Sequence, residues 1–160
     1  MANNTLIIRN FARMNPYIKQ YPNLMSGKKI MYVHGFLSSA ASGTVKMLQE
    51  LMPQATIVAD DIPVHPEEAM TFLRAMAERE RPDLIIGWSH HFTPEALGDV
   101  YAYFDRGVGA YIVPATVRKG APTLEETVYP FIADMGHIFG VEERAKNYTI
   151  ALQSRAAAVE

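Results

Sequence analysis

The chain has 160 residues, no cysteine, a formal net charge of −2, and 49% hydrophobic against 20% charged residues. That balance suits one soluble globular domain with a sizeable core, and the scattered basic residues argue against nucleic acid as a main partner. Lack of cysteine excludes disulfides, thiolate catalysis and cysteine-held metal, and no apolar run reaches the length of a membrane span.

Residues 1–28 read as an N-terminal arm. Residues 5–8 (TLII) suit a short strand, while Asn15-Pro16 and Tyr21-Pro22 break any helix between them. The opening MANNTLIIRNF has no basic region followed by a long apolar core. No signal peptide is expected, and a cytoplasmic location is the default.

Residues 29–114 carry an alternating pattern. Residues 30–33 (IMYV) form a compact apolar run that stops at His34-Gly35 and read as the first strand. Ser38, Ser39 and Ser42 offer cap oxygens for a helix whose Val45, Leu48 and Met52 recur with helical spacing. The β-branched run at residues 56–59 (TIVA) gives a second strand, with Asp60-Asp61 at its end. There a carboxylate can cap the next turn or orient an imidazole, and the cap is the simpler reading. Pro66 suits the first position of the next helix, with Glu67 and Glu68 in the first turn, where the helix dipole favours anions. Its apolar stripe is Ala69, Phe72, Leu73 and Met76, and the helix must stop before Pro82. His65 reads as a helix-start residue.

The third strand, residues 84–86 (LII), is an unbroken apolar run of the kind buried on both faces of a parallel sheet. It ends in Gly87-Trp88-Ser89-His90-His91, a Gly-x-Ser turn at the strand edge where open α/β sheets bind ligands. Thr93-Pro94-Glu95 then predicts a helix starting near Thr93, with Leu97, Val100, Tyr101 and Phe104 as its apolar stripe. Residues 109–113 give a fourth strand, closed by Pro114. Together these elements predict an α/β fold, a three-layer open parallel sheet with right-handed crossovers.

Residues 115–160 read as a helical tail. Thr123 to Glu126 is a capping box, T-x-x-E, followed by a helical stripe that Pro130 should kink or divide. Residues 141–159 give a closing helix. The chain is expected to be one domain, and the helical tail and apolar-containing arm leave room for a homodimer.

Three segments carry a family resemblance: MYVHGFLSSAAS at residues 31–42, IPVHPEEAM at 62–70, and RPDLIIGWS at 81–89. In that order they resemble the YqiA-type esterases, small α/β-hydrolase proteins, over residues 29–114. The resemblance implies a serine esterase acting on a small-molecule ester without a cofactor. Ser89 would be the nucleophile, and the backbone N–H groups of Phe36, after His34-Gly35, and His90 would form the oxyanion hole. Two such donors are worth about 3 to 4 kcal/mol each by mutational loss. His90, His91 and His137 are the available bases, with Asp134 the acid nearest His137, and Trp88 and Phe92 could wall an acyl pocket. His34 shapes the oxyanion loop in this reading.

The sequence also departs from that pattern. His90, His91 and Phe92 stand where the family keeps small residues, and Pro94 delays the helix. The tail offers neither a later strand ending in an acid nor one ending in a histidine. The expectation is a weak esterase on a truncated or modified hydrolase-like core. The alternative is a non-catalytic α/β domain that binds ligands or oligomerises. A zinc site built from His34, His90 and His91 is the lesser reading, because such sites need three or four ligands in fixed geometry; no metal is expected.

Overall fold

A computed structural model describes residues 20–35, 38–114 and 123–158. Four strands and five helices occupy them: β1 (Lys29–Tyr32), α1 (Gly43–Leu51), β2 (Thr56–Val58), α2 (Pro66–Glu80), β3 (Leu84–Gly87), α3 (Val100–Phe104), β4 (Gly109–Ile112), α4 (Tyr129–Phe139) and α5 (Glu142–Ala157). The strands form one open sheet in the order β2-β1-β3-β4. β1 pairs in parallel with β2 (Ile30 opposite Ile57) and with β3 (Met31 opposite Ile85). Gly109 N–H donates to the Asp83 carbonyl at 2.9 Å, so β3 and β4 start at the same edge. The α/β fold expected from the alternating pattern is the fold observed.

The strands form where the apolar runs predict them. All four residues of β3 are buried, and Ile30, Met31 and Ile85 have no exposed surface. Each such side chain contributes about 1.5 to 3 kcal/mol by leaving water. Leu73, Met76 and Ala77 of α2 pack into the same core with Val33, Leu97 and Tyr103. Ser42 caps α1 by accepting from Val45 N–H at 3.4 Å. Pro66 opens α2 and Glu67 and Glu68 fill its first turn.

Asp83 fixes the start of the sheet. Its carboxylate accepts from Lys29 N–H at 2.7 Å, and its own N–H donates to the Lys29 carbonyl at 2.8 Å. The Lys29 N–H bond holds the Asp83 carboxyl below the usual carboxylate range.

One boundary corrects the sequence reading. The helix after β3 starts at Val100, not near Thr93. Thr93 does start a turn, since its carbonyl accepts from Ala96 and Gly98 N–H groups, but Gly98 at φ +84° ends it. Asp99 then caps a new helix by accepting from Tyr101 N–H at 3.0 Å. The break resets the helical phase. Leu97 reaches the core from the turn, Tyr103 is the buried residue of α3, and Tyr101 and Phe104 face out at 69% and 51% exposure.

The chain divides into two compact units. Of the described residues, one unit comprises those through Gly87 plus His91–Tyr111; the other comprises Trp88–His90 and those from Ile112 on. In the second, Thr123 caps a five-residue π-helical turn (Leu124–Val128), accepting from Glu126 N–H at 3.3 Å. Pro130 sits in the first turn of α4, so it divides the predicted helix as expected. α4 ends at Gly140 in the left-handed region (φ +67°) and α5 packs back against it, with Gly136 directly facing Ala145. Among the described residues, no helix is long and apolar enough to cross a membrane.

Candidate functional site

The sheet reverses direction of growth between β1 and β3: β2 lies outside β1 on one side, and β4 outside β3 on the other. In open parallel sheets this switch point leaves a crevice at the strands' carboxyl ends, where the flanking loops diverge. Here it is bordered by the residues that follow β1, β2 and β3.

After β1, Val33 N–H donates to the Ile86 carbonyl at 2.9 Å, so the two strands stay paired to the last residue before the loops. His34 follows, 4% exposed. Its Nδ1 lies 3.0 Å from the Gly35 carbonyl oxygen and its Nε2 3.1 Å from the Asp60 carbonyl oxygen. Both neighbours are acceptors only, so whichever nitrogen carries the hydrogen, the ring binds backbone. With the hydrogen on Nε2, it ties the residue after β1 to the segment after β2.

Asp61 accepts from Ala40 N–H at 2.7 Å, so the carboxylate ending β2 caps the turn that follows β1. Asp60 instead pairs with Arg79 at 2.8 Å, on a partly exposed surface. Phe36, expected to supply an oxyanion N–H, lies outside the described residues.

Gly87 ends β3 under two aromatic rings. A Cβ there would stand 3.2 Å from Phe92 Cε2, 3.3 Å from His91 Nδ1 and 3.5 Å from Val33 Cβ. The glycine lets both rings close over the strand end. His91 is 7% exposed, and Phe92 packs against the core rather than standing as a free pocket wall.

The segment Ser89–His91 is a single 3-10 turn. A nucleophile elbow would run straight into an α-helix, whereas here the next helix begins at Val100. Ser89 and Trp88 are half-buried and His90 is exposed.

The expected downstream partners are surface groups. His137, near the end of α4, is 85% exposed, and its Nδ1 lies 3.3 Å from Glu142 Oε1. Glu142 thus lies beside His137, and Asp134 is exposed on the same helix. Sequence spacing could have suggested this only through Gly140, whose left-handed turn brings the start of α5 back toward the end of α4. Among the described residues, no group of three His, Cys, Asp or Glu side chains is placed to hold a metal ion.

Arg74 and Tyr103 were not singled out by sequence, yet both hold the loop beyond the turn. The Arg74 guanidinium donates to the carbonyls of Pro94 and Glu95 (both 2.7 Å) and Ala96 (3.2 Å). The Tyr103 hydroxyl donates to the Leu97 carbonyl at 2.7 Å, and burial pushes its pKa up. Nothing in the sequence marks Arg74, which lies on the exposed side of α2. The i, i+6 relation of Leu97 and Tyr103 matches neither regular period.

No family model matches the sequence, and no curated protein matches it. Among solved structures, the chain is similar to a periplasmic binding protein from Veillonella parvula DSM 2008, with a TM-score of 0.56 and 16% identity. The match covers 82% of this chain and 44% of that one, so the chain spans less than half the length of that protein. At this identity the likeness is one of fold.

Proposed function

We propose that this chain is a ligand-binding α/β domain whose small-molecule ligand lies at the carboxyl edge of the sheet, against His34, Asp61 and the Gly87 end of β3. The observation carrying this reading is the β2-β1-β3-β4 order, which puts the switch point where His34, Asp61 and Gly87 have shaped the loops by hydrogen bonding and close packing. The fold likeness to a periplasmic binding protein supports the same class. A screen of small polar molecules by amide NMR tests it. Hits should shift residues 34–35, 38–40, 60–61, 87 and 91–92. Hits that all map elsewhere would refute it.

A second reading is the weak serine esterase on a YqiA-like core. Its supporting observation is Ser89, half-buried in a tight turn directly after the central strand, with two histidines in the same turn. The chemistry needs a base within about 3 Å of the hydroxyl. His34 sits with each ring nitrogen against a backbone carbonyl and His137 lies in solvent beside Glu142, which leaves His90 and His91 to serve. Even a poorly placed base can leave roughly 10³ to 10⁴ over water when the oxyanion donors remain.

A further inference from the structure

At the opposite edge of the sheet, where β3 and β4 begin, two adjoining clefts run between α2 and α3. They measure about 390 and 370 Å³ and share Ala77, Glu78, Tyr103 and Arg106. Each is within the range of small-molecule sites. Three guanidinium groups, Arg74, Arg81 and Arg106, line them against one carboxylate, Glu78.

The three arginines differ in what they can still bind. Arg74 commits its Nε to the Ala96 carbonyl and its Nη2 to those of Pro94 and Glu95, which fixes its guanidinium on the 94–96 loop and leaves Nη1 as its remaining donor group. Arg106 is held in place: its Nε donates to the Ala102 carbonyl at 2.9 Å, and its guanidinium lies 4.8 Å over the Tyr103 ring. Among the described residues, no ion pair neutralises Arg81 or Arg106.

Arg81 is the second, independent observation. It ends α2 in the left-handed region (φ 47°, ψ 60°), where glycine is the usual residue because any side chain is disfavoured. Complementing the helix dipole would need only a Lys or Arg somewhere in the last turn, and Arg79 is already there. A strained arginine facing a cleft that also contains Arg106 calls for a different role.

We propose that this cleft binds a small phosphorylated molecule with an apolar body, its phosphate held by Arg81 and Arg106. Planar guanidinium forks match phosphate oxygens, and pre-positioning of Arg106 lowers the ordering cost of binding. Pro82 and Val108 supply the apolar side of the cleft.

Phenyl phosphate is the probe, titrated against the full chain and followed by amide NMR, with Arg81→Gly and Arg106→Gln as variants. Wild type should show saturable shifts in residues 77–82 and 103–108. Arg81→Gly should weaken binding about tenfold, the loss of one charge-assisted contact, while its melting temperature stays level or rises. Arg106→Gln should weaken binding too; if it also unfolds the chain, Arg81→Gly decides. No saturation by about 20 mM, unchanged affinity in Arg81→Gly, or equal binding of inorganic phosphate would each overturn the proposal.

Discussion

Replacing Gly136 by alanine sets two well-measured effects against each other. Within an exposed helix the change favours folding by about 0.8 to 1 kcal/mol, because alanine is the better helix former. Gly136, however, is buried where α4 crosses α5, and a Cβ built on it collides with the Cβ of Ala145. That partner atom is fixed to its backbone, so neither side can rotate away. The helices must separate, and a forced overpacking of this kind costs about 1 to 3 kcal/mol. The second contact, 3.4 Å to Glu142 Cα, is ordinary and limits slippage along the helix rather than adding to the cost. The collision outweighs the helix gain over nearly all of that range, and the net expectation is a loss of up to about 2 kcal/mol. Urea unfolding followed by circular dichroism reads this directly, and the double variant Gly136→Ala with Ala145→Gly should recover part of the loss by removing the opposing methyl. If Gly136→Ala is more stable than wild type by the full helix gain of about 0.8 to 1 kcal/mol, the close crossing of α4 and α5 is wrong.

Two further predictions concern the sheet unit. Tyr103→Phe removes a buried donor and leaves the Leu97 carbonyl without its 2.7 Å partner, so stability should fall by about 1 to 3 kcal/mol. Because burial raises the Tyr103 pKa, its contribution is complete below the unfolded value near 10 and is lost as pH rises through the folded value; the phenylalanine variant should lack that alkaline loss, and an identical alkaline profile would count against the buried hydroxyl. Asp83→Asn should weaken the junction of β1 and β3 by about 1 kcal/mol at neutral pH, a discounted figure for a partly exposed carboxylate. The folded pKa of Asp83 is depressed, so its contribution is present above the unfolded value near 4 and disappears as pH falls through the folded value; wild type and variant should converge in acid, and a gap that persists there would contradict the assignment.

Much of the fold was legible because local signals and tertiary packing agree in it. The apolar runs at β1, β2, β3 and β4, Pro66 at the head of α2 and the Thr123 box all act over a few residues, and the structure uses them as they stand. The stretch after β3 is ambiguous in sequence because it holds two helix starts six residues apart. Thr93-Pro94-Glu95 is a sound N-terminus by composition, but Gly98 closes that turn and Asp99 caps a second one. Which of them nucleates the helix depends on Leu97 and Tyr103 both reaching the core, a tertiary condition that periodicity over Leu97, Val100, Tyr101 and Phe104 cannot express.

The candidate site was legible in place more than in chemistry. The strand-end position of His34, Asp61 and Gly87 follows from the run lengths of the strands. What each residue does there depends on residues far away in sequence: His34 on Asp60, Asp61 on Ala40, and Gly87 on Val33. His137 was a base candidate by residue type, and its pairing with Glu142 depends on the turn at Gly140.

The reading of this chain as a binding domain, rather than an esterase, is tested most directly at Ser89. Wild type and Ser89→Ala are compared for p-nitrophenyl acetate turnover and for labelling by a fluorophosphonate probe. A binding domain gives equal turnover in both, no more than general surface catalysis, and no adduct on Ser89. Turnover lost on Ser89→Ala together with a fluorophosphonate adduct mapped to Ser89 in wild type would contradict it, and would make His90→Ala and His91→Ala the next variants to separate.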